Sequence, residues 1–219
     1  MKVLVAGGAG YIGSITAELL LDRGHEVAVF DNLETGHRHA VDDRARLHIG
    51  DLRDPCRIAQ VLGAERPDAV MHFAAYIEVG RSMQDPLAFF HNNTHGSLNL
   101  VRAAHDAAVR TFIFSSTCAT YGTPNRVPID ETEPQTPESP YGESKLQIER
   151  LLHWMREIHG LQAVCLRYFN AAGATLKFGE DHDPETHLIP RVLQVALGKH
   201  RTIGILGADY DTPDGTCVR

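Results

Sequence analysis

Residues 1–13 read Met1-Lys2-Val3-Leu4-Val5-Ala6-Gly7-Gly8-Ala9-Gly10-Tyr11-Ile12-Gly13. A short apolar run leads into glycines spaced G-x-x-G-x-x-G (Gly7, Gly10, Gly13), and helical apolar spacing follows over residues 12–23. Glycine at those positions lets backbone N–H groups close on a pyrophosphate at a helix N-terminus. A ligand-free turn would use the same residues. Asp31 favours the ligand: an acid ending the second apolar run accepts hydrogen bonds from an adenosine ribose and repels a 2′-phosphate. NAD is therefore expected in preference to NADP, with Arg38 as the cation able to weaken that preference.

Outward from this turn, apolar or β-branched runs recur at 3–6, 26–30, 46–49, 69–73, 111–115 and 163–168. Helical spacing occupies 12–23, 54–63, 85–108 and 141–159 between them. Strand and helix in alternation imply an α/β fold, a doubly wound parallel sheet in the order 3-2-1-4-5-6 (a Rossmann fold). Gly24 and Gly160 fit helix C-caps. A proline-rich, acidic loop spans 123–140, and a short helix is expected near 188–197. The division falls into an NAD-binding domain over 1–170 and a partial substrate-binding lobe over 171–219.

Composition narrows the partners. The 219 residues carry 21 basic and 28 acidic side chains, a net charge of −7, without a Lys/Arg run. That argues against a nucleic-acid or anionic-membrane surface and for a small-molecule partner. Cys56, Cys118, Cys165 and Cys217 lack C-x-x-C spacing, which suggests reduced thiols and a cytoplasmic setting. No signal-peptide core and no membrane-spanning run is found. Of the thirteen histidines, His91/His95 and His37/His39 are closely spaced but lack a third ligand, so no metal is assigned.

The chemistry is carried further along the chain. Tyr141-Gly142-Glu143-Ser144-Lys145 places a phenol and an ammonium one helical turn apart, where the cation stabilises a phenolate able to act as a base. Ser115-Ser116-Thr117 ends the fifth strand, whose carboxyl end faces the ligand crevice, and a hydroxyl there can donate to a substrate oxygen or cap a turn. Asp51-Leu52 could receive an adenine edge or open a helix. Phe73-Ala74-Ala75 could let a cofactor lie against backbone or simply pack the sheet edge.

Taken together, Gly7–Gly13, Asp31-Asn32-Leu33, Asp51-Leu52, His72-Phe73-Ala74-Ala75, Asn92-Asn93, 115–122, Pro140–Lys145 and Leu166-Arg167-Tyr168-Phe169-Asn170 carry a resemblance along the chain. So do the segments 180–190, Asp209-Tyr210 and 214–219. The sequence resembles the UDP-glucose 4-epimerase family of extended short-chain dehydrogenases/reductases. The resemblance implies NAD-dependent 4-epimerisation of a UDP-hexose by hydride abstraction and return through a 4-keto sugar. It casts Thr117, Tyr141 and Lys145 as catalytic hydroxyl, base and base-activating lysine. Gly7, Gly10, Tyr11, Ile12, Gly13, Asp31, Asn32, Asp51, Leu52, Phe73, Ala74, Ala75, Asn92, Tyr141, Lys145 and Tyr168 are implied cofactor contacts. Thr117, Tyr141, Asn170, His187, Leu188, Ile205, Leu206 and Arg219 are implied UDP-sugar contacts, Arg219 as a cation for the diphosphate. A homodimer is compatible with this reading.

The chain departs from the family pattern at Ile77, where a lysine is common, and in Ser14-Ile15-Thr16, where a histidine commonly replaces the isoleucine. Family members also run on for roughly another hundred residues. The expectation is therefore a C-terminally truncated chain with a folded N-terminal core, and apolar side chains poorly buried over 171–219. A catalytically impaired NAD-binding remnant is the alternative. A nucleotide-sugar 4,6-dehydratase is a lesser one, since Thr117-Cys118 supplies no carboxylate for its added acid/base step.

Overall fold

The computed structural model describes residues 1–183, 185–205 and 207–216. It forms two compact units, 1–178 and 179–219. The first unit contains six strands: β1 (Lys2–Ala6), β2 (Glu26–Asp31), β3 (Arg46–Ile49), β4 (Ala69–His72), β5 (Thr111–Thr117) and β6 (Gln162–Tyr168). They form one parallel sheet in the order β3-β2-β1-β4-β5-β6, the doubly wound order that the sequence implies.

Side-chain alternation along the strands builds two cores. Leu4, Ala28, Phe30, Val70, Phe112 and Phe114 point to one face. They pack there against Ile58, Val61 and Leu62 of α2 (Pro55–Glu65), Leu100, Val101 and Ala104 of the segment 96–106, and Ile148 and Leu152 of the segment 140–159. Phe112 and Phe114 are fully buried, each contributing about 1.5–3 kcal/mol relative to an exposed ring. Val3, Val5, Val27 and Val29 point the other way, onto Ala17, Leu20 and Leu21 of α1 (Tyr11–Asp22).

Three details differ from the sequence expectation. β4 ends at His72 rather than Phe73, because the Phe73 and Ala74 N–H groups both turn back to the Ala6 carbonyl, at 2.7 and 3.1 Å. A short helix, α3 (Val79–Gln84), stands where no helical period was visible. The helix expected over 85–108 is three pieces: α4 (Pro86–Phe89), a π-helical turn Phe90–His95, and α5 (Gly96–Asp106). The wide turn coincides with Asn93, whose buried side chain is drawn into bonds with Tyr76 and Ser144.

The last helix of this unit, α6 (Pro140–His159), is punctuated at both ends. Ser139 Oγ accepts from the Gly142 N–H at 3.1 Å, and Gly160 closes it in the left-handed conformation at φ +70°. The proline-rich loop before it is fastened to the domain. The buried Glu133 carboxylate accepts from the Asn125 backbone and amide at 2.7 and 2.8 Å, and Thr136 bonds to the Tyr121 carbonyl.

Residues 171–178 bond within the first unit. Tyr11 Oη donates to the Gly173 carbonyl at 2.6 Å, Thr175 Oγ1 donates to Glu18 at 2.6 Å, and Lys177 Nζ lies 3.3 Å from Asp42. The second unit holds one helix among the described residues, α7 (Leu188–Ala196), and none of its residues is buried.

Candidate active site

The carboxyl end of β1 opens into the glycine turn. Gly7 sits at φ +82°, and a Cβ there would stand 2.4 Å from the Ala74 nitrogen. A Cβ on Gly13 would stand 2.1 Å from the Gly7 carbonyl oxygen. Both glycines are therefore required by the protein's own packing. Gly10 is different, since its nearest neighbour would be the Gly7 oxygen at 3.6 Å, an ordinary contact. It caps the N-terminus of α1 without a side chain, which leaves bare backbone where a pyrophosphate would approach. The residues present thus fit a dinucleotide.

Asp31 ends β2 beside this turn. Its Oδ2 accepts from the Ala9 N–H and its Oδ1 from the Leu33 N–H, each at 2.9 Å. Burial raises its pKa, and the two backbone donors oppose that shift. Asp31 therefore organises the glycine loop.

The next expected contacts form one polar cluster. Asn32 Nδ2 donates to Asp51 Oδ2 at 2.9 Å, and Arg53 brackets the same carboxylate, with Nε 2.8 Å from Oδ1. The guanidinium holds the Asp51 carboxyl well below the usual range, so it is an anion already paired. The helix-capping aspartate of α2 is Asp54, which accepts from the Arg57 N–H at 3.1 Å. Leu52 is buried in the main core. Ala74 lies against Gly7, so the turn after β4 and the glycine turn share one crevice wall.

Asn92 was the expected contact on the next segment, and it is half-buried, donating to Asn93 Oδ1 at 3.0 Å. The buried residue is Asn93. Its Oδ1 accepts from the Tyr76 N–H at 2.8 Å, and its Nδ2 donates to the Tyr76 carbonyl at 3.0 Å and to Ser144 Oγ at 3.1 Å. Sequence reading missed it because adjacent asparagines look alike until one of them is seen to face inward.

Thr117 ends β5, Lys145 of α6 bonds to the same strand end, and Tyr141 stands one helical turn before Lys145. Thr117 is buried, caps a short 3₁₀ turn by accepting from the Ala119 N–H at 3.1 Å, and stands opposite Tyr168 in the β5–β6 register. Its capping role and its place at the crevice coexist. Tyr141 lies in the first turn of α6, edge-on to Phe89 with ring centroids 6.5 Å apart. Lys145, one turn on, is buried. Its Nζ donates to the Ser115 carbonyl at 2.9 Å and lies 5.0 Å from the centre of the Phe114 ring. Burial pushes its pKa down to about 7. Burial, with the Lys145 charge, also lowers His72 to about 3, so that imidazole is neutral and bonded through Nε2 to Ser97 Oγ at 2.7 Å.

Glu149 extends the same helix face by a further turn, a residue that sequence reading left without a role. It bonds Ser116 Oγ, accepts from Gln135 Nε2 at 2.9 Å, and pairs with Arg167, whose Nη2 is 2.7 Å away. Arg167 in turn donates to Tyr121 Oη at 2.7 Å. Burial raises the Glu149 pKa, but Arg167, Ser116 and Gln135 outweigh it and leave the carboxyl below its usual value. This network clamps α6 to the ends of β5 and β6, which fixes Tyr141 and Lys145 relative to Thr117. The signal available in sequence was the i, i+4, i+8 spacing of Tyr141, Lys145 and Glu149.

Tyr168, at the end of β6, is half-buried, and burial raises its pKa. Asn170 is exposed just beyond it. In the second unit His187, Leu188 and Ile205 are exposed, with His187 Nδ1 2.9 Å from Glu185 Oε1. Leu206 and Arg219, the other two expected sugar contacts, lie outside the described residues.

Residues 3–219 match the NAD dependent epimerase/dehydratase family. The chain belongs to that family. A UDP-glucose 4-epimerase of Lacticaseibacillus casei is 52% identical over the whole chain, and one of Rhizobium leguminosarum bv. trifolii is 49% identical over 99% of it. The crystal structure of UDP-glucose 4-epimerase from Brucella ovis in complex with NAD covers 99% of the chain at 47% identity with a TM-score of 0.93. The chain spans 67% of the length of each of these three proteins.

Proposed function

We propose that this chain carries the cofactor site and catalytic residues of a UDP-glucose 4-epimerase, interconverting UDP-glucose and UDP-galactose at C4. The observation that carries the reading is the placement of Lys145. Its buried ammonium is pinned to the Ser115 carbonyl, two residues from Thr117 and one helical turn from Tyr141, on the strand next to the one that closes on the glycine turn. The 52% identical epimerase supports it.

Bound NAD supplies a hydride acceptor that later returns the hydride, so the reaction is redox-neutral overall. Gly7, Gly10 and Gly13 would hold its pyrophosphate against backbone, and Asp31 its adenosine ribose. Tyr141 takes the proton from the sugar 4-hydroxyl and returns it to the epimerised oxygen. Thr117 holds that oxygen by hydrogen bond, and the Lys145 cation favours the deprotonated phenol. The family likeness carries the assignment of Asn170, His187, Leu188, Ile205, Leu206 and Arg219 to the sugar nucleotide. This activity belongs to galactose metabolism, and the free thiols at Cys56, Cys118 and Cys165 fit a cytoplasmic enzyme.

The test is conversion of UDP-galactose to UDP-glucose with NAD bound. Tyr141→Phe removes the exchangeable proton with little change in volume, so turnover should fall by about 10²–10⁴ while NAD affinity stays within a factor of about two. Turnover in the Phe variant equal to the parent's would remove Tyr141 from the role of base. A parent that binds NAD but converts no UDP-galactose would favour the NAD-binding remnant.

A further inference from the structure

The second unit contains a feature outside the proposed reaction apart from His187. Residues 180–187 carry the pattern Glu-x-His twice, as Glu180-Asp181-His182 and Glu185-Thr186-His187. Each glutamate treats its histidine in the same way. Glu180 Oε1 accepts from the His182 backbone N–H at 2.9 Å and lies 2.5 Å from His182 Nδ1. Glu185 Oε1 accepts from the His187 N–H at 2.6 Å and lies 2.9 Å from His187 Nδ1. The two pairs come together, with the two imidazole rings 4.6 Å apart. One ligand atom from each residue falls within 4.8 Å of all the others.

We propose that Glu180, His182, Glu185 and His187 form a binding site for one divalent transition-metal ion of the zinc class. Two carboxylates brought this close repel one another, and a cation between them removes that repulsion. Two imidazoles with two carboxylates form a nitrogen/oxygen set that suits zinc and disfavours the hard cations magnesium and calcium, which take oxygen ligands alone. A tetrahedral centre with bonds of about 2.0–2.1 Å needs ligand atoms about 3.4 Å apart, so the four groups must close by at most about 1.4 Å. All four side chains reach solvent, so an ion can enter. Among the described residues this is the only cluster of three or more such groups. The ring pairs His37/His39 and His91/His95, by contrast, come together without joining such a cluster.

The 219-residue chain, stripped with a chelator and desalted, is titrated with zinc chloride by calorimetry and in competition with a chromogenic zinc chelator. One ion per chain is expected, with Kd on the order of 1 µM or tighter. Millimolar magnesium should not displace it. His182→Ala and Glu185→Gln should each weaken binding at least about 10-fold. The double substitution His91→Ala/His95→Ala should leave it unchanged. These positions lie outside the buried core, and far-UV circular dichroism confirms folding of each variant; Glu180→Gln replaces any that fails. Absence of a stoichiometric site, or equal affinity in His182→Ala and the parent, would overturn the proposal, as would displacement by magnesium.

Discussion

The two units solve the problem of order by different means. In 1–178 every strand contributes to a sheet whose two faces are roofed by helices, and Phe30, Phe89, Phe112 and Phe114 are inaccessible to water. In 179–219 the local structure is held by polar side chains turning back on their own backbone. Examples are Glu180 with His182, Glu185 with His187, and Asp214 with the Thr216 N–H at 3.1 Å. Among the described residues, none after Leu161 is buried. Hydrophobic burial is cooperative, whereas hydrogen bonds facing water contribute little each. The proposed catalytic residues Thr117, Tyr141 and Lys145 all stand in the cooperative unit.

The strongest test of this contrast removes a buried charge. Glu149→Ala leaves the Arg167 guanidinium without its carboxylate between α6 and β6, and breaking such a pair should cost about 4 kcal/mol. Chemical denaturation should show the loss. Hydrogen exchange should speed up in α6 and β6, the two elements that the clamp joins. A loss below about 1 kcal/mol would mean that the clamp is replaceable.

The glycines offer a paired test. Gly7→Ala meets both a left-handed backbone and the Ala74 nitrogen, and should cost about 2 kcal/mol while abolishing measurable NAD binding. Gly198 shares the left-handed conformation, φ +74°, but has nothing within 4 Å of its would-be Cβ. Gly198→Ala should therefore cost only about 1 kcal/mol of local strain and leave NAD affinity intact.

Much of this architecture was legible in the sequence. The six strands and their order follow from apolar runs alternating with helical spacing, since a parallel sheet buried on both faces leaves few other solutions. Glycine spacing with Asp31 marked the turn after β1 that the structure closes against the turn after β4, and the Tyr141/Lys145 spacing marked the first turns of α6. What escaped depends on tertiary partners. Asn93 is distinguished from Asn92 only by facing inward to Tyr76 and Ser144, and Glu149 only by Arg167 reaching it from β6. The Glu180–His187 cluster was hidden because its histidines are five residues apart, while attention to spacing favours pairs such as His91 and His95.

The Lys145 ammonium gives a pH signature confined to the first unit. Its folded pKa, about 7, lies below the usual lysine value of 10.5. Below pH 7 the amine is charged in both folded and unfolded chains, and the full penalty of burying it is present. Between pH 7 and 10.5 the folded state has released a proton that the unfolded state keeps, so stability rises with pH across that window. Stability of the nucleotide-free parent relative to Lys145→Met should therefore increase from pH 7 to pH 10, read from denaturation midpoints. A flat difference would place the amine in a wetter site than the structure shows.

The smallest effect expected is also the sharpest statement of the difference between the units. Leu152 on α6 has no exposed surface and belongs to the main core, so Leu152→Ala should cost about 3 kcal/mol. Leu193 on α7 keeps 54% of its surface in water and Leu188 keeps 70%. Replacing either with alanine removes methyl groups that are already largely hydrated, and alanine is the better helix former. Each of these two substitutions should therefore stay within about 0.5 kcal/mol of the parent in denaturation. A loss above about 1.5 kcal/mol at Leu193 would mean that α7 buries this side chain in solution.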